Sequence, residues 1–218
     1  MEITTYDEFA QLVERYRIFP FAAFVPEHPS LTTVTAESSW HTETETDPWL
    51  WRIRIAQEGK AAYGKFFGAK AAFIQSELFP AMMTLMTGNR TAKERFEAGS
   101  MSRAAYRIYG VIRENGNVDS RSLRKEAGFG AKEEKKEYDK GLNELQSGGC
   151  IVITGSARQN ESWSSMCYET SESWLQSVLE DYESLSVEDA KRRVQETLGS
   201  ACSEKAYAFF AKKLGLND

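Results

Sequence analysis

The sequence predicts an α+β fold, mainly α, and three observations carry that prediction. Apolar residues recur at helical spacing in several separate segments, among them Ala105, Ile108, Tyr109 and Ile112 at i, i+3, i+4 and i+7. A β-branched run, Cys150-Ile151-Val152-Ile153-Thr154, is followed across a polar stretch by Met166-Cys167-Tyr168-Glu169-Thr170, which is the pattern of a hairpin. Hydrophobic residues make up 41% and aromatic residues 12% of the 218, close to globular norms and far from a disordered composition.

The region from Ser102 to Thr170 is the most legible. A first helix from Ser102 ends near Glu114, where Asn115-Gly116 supplies a stop. Asp119 or Ser120 can cap a second helix through Ser122, Leu123 and Ala127, closed by Gly128. A third is expected from about Lys132 to Gln146, with Tyr138, Leu142 and Leu145 on its inner stripe. Gly148-Gly149 then leads into the hairpin, whose tip is expected to be a polar loop from Gly155 to Glu161. Three helices followed by a hairpin is the order of a winged helix-turn-helix, a module that commonly contacts DNA.

The charge distribution fits such a contact. The formal net charge is −5, which argues against nucleic-acid binding through overall basicity. Yet residues 101 to 140 carry ten Lys or Arg against seven Asp or Glu, a local balance of +3. Lys132, Lys136, Lys140 and Asn143 fall opposite the apolar stripe of the third helix, where long polar side chains could reach phosphates and base edges. Arg158 is the one basic residue of the expected wing. The same lysines also fit a plain solvated face, because Glu133, Glu137 and Glu144 flank them.

Around this region three parts are expected: an N-terminal α+β lobe at 1–98, the winged helix-turn-helix at 99–176, and a C-terminal helical segment at 177–218. Thr5 and Glu8 have capping-box spacing ahead of Phe9, Leu12, Val13 and Tyr16. Residues 26–48 read as a long irregular loop, 61–79 as a β-hairpin or pair of buried strands with Lys65 and Lys70 at its polar edge, and Pro80 to Leu85 as a helix. Ser186 with Asp189, and Ser203, open two final helices; the pair looks like the start of a further winged helix without its wing.

The densest chemistry lies at Trp40-His41 and Asp47-Pro48-Trp49-Leu50-Trp51-Arg52. A pocket lined by Trp40, Trp49, Trp51 and Lys65 could stack a flat ligand, with Asp47 or His41 handling a proton near neutral pH. Asp47 before Pro48 equally fits a helix cap with Pro at the first helical position, leaving His41 bonded to backbone. No nucleotide-binding glycine motif occurs, and no cofactor is expected. Three cysteines without a CxxC pair and only two histidines point to reduced thiols and no metal. No apolar run is long enough to span a membrane and the start lacks signal-peptide character, so a cytoplasmic protein is expected.

The run Ala62-Tyr63-Gly64-Lys65-Phe66-Phe67-Gly68-Ala69-Lys70-Ala71-Ala72-Phe73-Ile74, the helices around Arg107-Ile108-Tyr109 and Gly141-Leu142-Asn143-Glu144-Leu145, and Cys167-Tyr168-Glu169-Thr170-Ser171-Glu172-Ser173-Trp174 carry a resemblance to a known family. The chain, from about Trp40 to Gly215, resembles the AlkZ and YcaQ winged-helix DNA glycosylases, and in particular the shortened AlkZ-related proteins of unassigned function. The resemblance implies tandem winged-helix units, DNA as partner and base excision as the family chemistry. The Gln-x-Gln motif of those glycosylases is absent here, so no catalytic residue transfers. The expected function is therefore DNA binding by a non-catalytic relative. A glycosylase-like hydrolase working through Asp47 or His41, and a scaffold that binds protein, remain the alternatives.

Overall fold

The computed structural model describes residues 2–160, 163–181 and 184–217. It contains one arrangement twice. In the first unit, helix α1 (Tyr6–Tyr16) leads to strand β1 (Ile18–Pro20), short helix α2 (Leu31–Val34), helix α3 (Pro48–Gln57) and the hairpin β2 (Ala61–Gly64) and β3 (Ala72–Gln75). Helices α4 (Phe79–Thr87) and α5 (Ala92–Glu97) connect it to the second. There α6 (Arg103–Asn115), β4 (Val118–Asp119), α7 (Ser120–Glu126), α8 (Lys135–Ser147), β5 (Ile151–Asn160) and β6 (Trp163–Thr170) repeat the order helix, strand, helix, helix, strand, strand. Both sheets are antiparallel with the last strand in the middle, β1-β3-β2 and β4-β6-β5. Helices α9 (Ser171–Val178), α10 (Val187–Ala201) and α11 (Glu204–Leu214) complete the chain.

Local chemistry explains the helix starts. Thr5 and Glu8 form the expected capping box: the Glu8 N–H donates to Thr5 Oγ1 at 3.3 Å and the Thr5 N–H to Glu8 Oε2 at 3.0 Å. Ser102, Asp119, Ser186 and Ser203 cap α6, α7, α10 and α11.

The first sheet is a middle layer. Phe19, Phe73, Ala61 and Tyr63 point into a core with Phe9 and Trp51, and that core continues into the second unit through Ile108, Leu145, Ile151 and Tyr168. The alternate residues Ile18, Ala62, Ala72 and Ile74 face a second core built from α4, α10 and α11, including Phe79, Met82, Val194, Leu198 and Phe210. Period-two geometry thus feeds two cores at once, and α10 and α11 cover the first sheet.

Three expectations need correction. Helix α8 begins at Lys135, not Lys132; Ala131 to Glu134 form turns, and Glu134 Oε2 accepts the Ala131 N–H at 2.9 Å. The stretch from Gly155 to Asn160 is strand, not loop: its backbone pairs with β6 from Cys167 to Trp163, after a bulge between Ile153 and Gly155. Glu161, the end of that expected loop, lies outside the described residues. Residues 26–48 hold α2 and a 3₁₀ turn at Glu37–Ser39 within otherwise irregular chain. The repeat of the arrangement sits at the N-terminus, and α10 and α11 pack on its sheet.

Two positions test this packing. A Cβ on Gly141 of α8 would lie 3.0 Å from backbone atoms of Ala104 and Ala105 and from Ile108 Cδ1. Gly141→Val should therefore destabilise the protein by about 2–3 kcal/mol in urea titrations, outweighing any gain in helix propensity. At the end of α3, burial opposes ionisation of Glu58, but hydrogen bonds from Lys60, Arg54 and Tyr6 prevail and hold its carboxyl at about 2. Because this folded-state pKa is depressed, the stabilisation is complete above about pH 4.5 and fades as pH falls towards 2. The stability gap between wild type and Glu58→Gln should shrink across that window.

Candidate nucleic-acid interface

Helix α8 has one face committed to the fold and one to solvent. Tyr138, Leu142 and Leu145 are buried against α6 and the second sheet, and Tyr138 Oη donates to the Ser120 carbonyl at 3.0 Å. Lys136 and Lys140 are exposed, Asn143 is half-buried, and Lys132 is exposed in the preceding turn. Among the described residues, the ammonium groups of these three lysines make no hydrogen bond or ion pair. Lys135, on a neighbouring line of the helix, instead pairs with Asp139 at 2.6 Å.

The flanking carboxylates divide into two groups. Glu144 accepts the Ser102 N–H at 2.8 Å and so secures the start of α6, while Glu134 holds Ala131. Glu133 and Glu137 are exposed. Their charges weaken the field of the lysines without closing off that face.

Part of the local basic excess has structural work. The Arg107 guanidinium lies 4.7 Å from the centre of the Phe129 ring, and Arg124 donates to the Ala131 carbonyl, so both brace the turn between α7 and α8. Arg121 and Lys125 are exposed on α7. Sequence reasoning passed over them, although the Asp119 cap marks Arg121 as a first-turn residue. Asp119 Oδ1 accepts the N–H groups of Arg121 and Ser122 and the Ser165 hydroxyl, fixing the start of α7 to β6. Arg158 lies on β5 opposite Ser164; its side chain, like that of Trp163, is outside the described residues.

The corresponding helix of the first unit is enclosed. In α3, Pro48, Trp51, Arg52, Ile53, Ile55 and Ala56 are buried. The helix packs on β2 and on β5 of the second unit. The Arg52 guanidinium sits 3.6 Å from the centre of the Trp49 ring and donates to Met166 Sδ at 3.3 Å, while its Nε has no partner. Burial lowers its pKa, opposed by the adjacent Tyr63 hydroxyl and the charge of Asp47.

The tryptophan-rich segment is organised by Asp47. This carboxylate is 1% exposed. It accepts three backbone N–H groups: Trp49 at 2.9 Å, His41 at 3.1 Å and Glu43 at 3.0 Å. The bond at His41 comes from its main chain, which adopts φ 60°, and its exposed ring lies 5.0 Å from that of Trp49. Trp40, His41, Asp47 and Trp49 therefore come together. Trp51 does not join them at the surface: it stacks on Phe9 at 6.0 Å inside the core and its indole N–H donates to the Glu45 carbonyl at 2.7 Å. Trp40 donates to Thr35 Oγ1 and packs edge-on against Phe21. The backbone of Lys65 bonds instead to Gln146 and Ser147 at the end of α8.

Among the described residues, no group of three or more His, Cys, Asp or Glu could hold a metal, and no helix is long and apolar enough to cross a membrane. The AlkZ-related family matches residues 3–215, nearly the whole fold described above. The chain belongs to the AlkZ-related family. Among solved structures, it is similar to the Streptomyces sahachiroi DNA glycosylase AlkZ, with 12% identity and a TM-score of 0.44. That match covers 97% of this chain and 66% of the glycosylase, so this AlkZ-related chain spans slightly under two thirds of the other's length. No curated protein matches it.

The bonds of Asp47 lead to a direct test. Replacing it by Asn puts an amide N–H₂ among buried backbone donors, so Asp47→Asn should cost about 1–3 kcal/mol of stability. Denaturant titration should show the loss as a lower midpoint with an unchanged slope.

Proposed function

We propose that this AlkZ-related chain binds duplex DNA through its second unit and does so without base-excision chemistry. In this reading the second unit, within residues 99–176, is a winged helix-turn-helix: α7 and α8 form the helix pair, and β5 with β6 forms the wing. The first unit and α4 to α5 make up residues 1–98, and residues 177–218 brace it. The observation that carries the reading is the outward face of α8 with the turn before it, where Lys136 and Lys140 of the helix and Lys132 of the turn are exposed without anionic partners and Asn143 stands on the same helix. Cationic side chains on a third helix can neutralise phosphates while a neighbouring amide reaches base edges.

Family membership supports DNA as the partner and a DNA-repair context. Absence of a Gln-x-Gln motif supports a non-catalytic role. Asp47, in this reading, is a helix cap whose carboxylate is already occupied by backbone donors, and His41 belongs to the same loop. The protein would act in the cytoplasm, with its three cysteines as free thiols.

The test is salt-dependent binding to a duplex. Each neutralised phosphate contributes about 0.9 to the slope of log K against log salt. Changing Lys132, Lys136 and Lys140 together to Glu should abolish binding, and single changes to Gln should each reduce the slope by roughly 0.9. Unchanged affinity in the triple variant would refute the assignment. No binding by the wild type even at low salt would favour a scaffold that contacts protein.

A further inference from the structure

A cleft of about 240 Å³ opens where the first sheet, the end of α1 and helix α10 meet. The first unit contributes Arg17, which follows α1, and Gln75 at the end of β3; Glu77 and Leu78 come from the link to α4. Helix α10 contributes Arg193, Thr197 and Ser200, which lie on one face at i, i+4 and i+7. The volume is below the range of drug-sized ligand sites and suits a small ion or a single polar group.

The lining holds donors left open. Gln75 is 5% exposed, and its Oε1 accepts the Leu78 N–H at 3.1 Å, which fixes the orientation of the amide. Among the described residues, Gln75 Nε2 makes no hydrogen bond. The fully enclosed side-chain nitrogens and oxygens without a partner there are Arg52 Nε, Arg124 Nε and Ser171 Oγ. Gln75 Nε2 is not one of them, so this donor is open to the cleft that Gln75 lines. Arg17 pairs through Nη1 with Glu14, which is outside the described lining, and Arg193 donates through Nη2 to the Glu77 carbonyl at 3.0 Å. Each guanidinium keeps further N–H groups for a ligand. Ser200 Oγ donates to the Thr197 carbonyl at 2.9 Å, while the Thr197 hydroxyl has no partner among the described residues. Arg17 occupies its place at φ 64°, a backbone conformation that glycine adopts without strain.

The charges in the lining decide the class of ligand. Helix ends do not, because α4 begins here while α1 and α10 end here. Glu77 supplies the one carboxylate of the described lining, and its exposed charge opposes an anion. Against it stand two guanidinium groups and a buried amide donor, a set that matches the several acceptor oxygens of phosphate.

We propose that this cleft binds the phosphate group of a small molecule. Arg17 and Arg193 meet its charge, and Gln75 Nε2 and the Thr197 hydroxyl donate to its remaining oxygens. The cleft shares no residue with the lysine face of α8, so it works apart from the duplex contact proposed above.

Inorganic phosphate, titrated into the full chain at constant ionic strength with chloride as the balancing anion, is the first probe. It should shift the side-chain amide resonances of Gln75 saturably at millimolar concentrations. Arg17→Gln and Arg193→Gln should each weaken binding about tenfold, the loss expected for a charge-assisted hydrogen bond. Gln75→Glu keeps the acceptor for Leu78 but removes the donor, and should abolish binding; Glu77→Gln should tighten it several fold. Arg193 is exposed, so its variant keeps the test valid if Gln75→Glu does not fold. A short duplex is the second probe, and its affinity should be the same for the wild type and the double arginine variant. A phosphate response no different from that of chloride would overturn the proposal, as would phosphate affinity unchanged in both arginine variants. Loss of duplex affinity alongside phosphate affinity would place a nucleic-acid strand in the cleft and overturn its assignment to a small molecule.

Discussion

The packing of α3 between the first sheet and β5 fixes the relation of the two units, and the rest of the architecture depends on it. Trp51 fills the core of its own unit against Phe9, while Arg52 lies where that unit meets β6. Burying a guanidinium is costly unless its surroundings replace water. Here the Trp49 ring, the Tyr63 hydroxyl and the Met166 sulfur supply the contacts, and Asp47 supplies a nearby opposite charge. No carboxylate hydrogen-bonded to Arg52 is present among the described residues. The arrangement depends on all of these elements meeting together, so the units form one body with a continuous core.

This packing also divides labour between two copies of one arrangement. In both, the third helix follows a short second helix and precedes the hairpin. The first copy spends this helix on the joint, and α3 exposes little besides Leu50, Arg54 and Gln57. In the second copy, α8 leans on α6 by one face only, with Gly141 allowing the close approach, and its lysines stay in water. Equivalent position in the fold thus brings different surfaces to solvent.

Much of the second unit was legible because its helices are amphipathic and begin at good caps. Ala105, Ile108, Tyr109 and Ile112 mark α6, and Asp119 marks α7. In the first sheet the hairpin of β2 and β3 was legible within 61–79, but its edge strand β1 was obscure for a physical reason. The strands of this sheet have three or four residues and are buried on both faces, so Ile18-Phe19-Pro20 shows no alternation of apolar and polar residues. Helix α3 is buried almost all round and lacks a polar stripe for the same reason. The outer part of β5 was hidden because Gly155, Ser156 and Ala157 have small or polar side chains, and its pairing is carried by backbone hydrogen bonds. At the candidate site the exposure of Lys136 and Lys140 could be read from helical spacing, but not the place of Lys132, which precedes α8 in a turn. Whether a tryptophan faces water could not be read either: Trp49 and Trp51 are two residues apart, yet one is half-buried at the surface and the other is in the core.

The two-sided burial of the first sheet has a consequence for synthesis. Strands β1 and β3 pair across more than fifty residues, and their second face packs into a core that α10 and α11 complete together with α4. The second unit, closed by contacts within residues 103–170, can assemble while the chain is still being made. The beginning of the chain must wait for its end. A polypeptide stopped within α10 or α11 would leave Ile18, Ala62 and Ile74 facing water, an apolar surface of the kind that quality-control proteases and chaperones act upon.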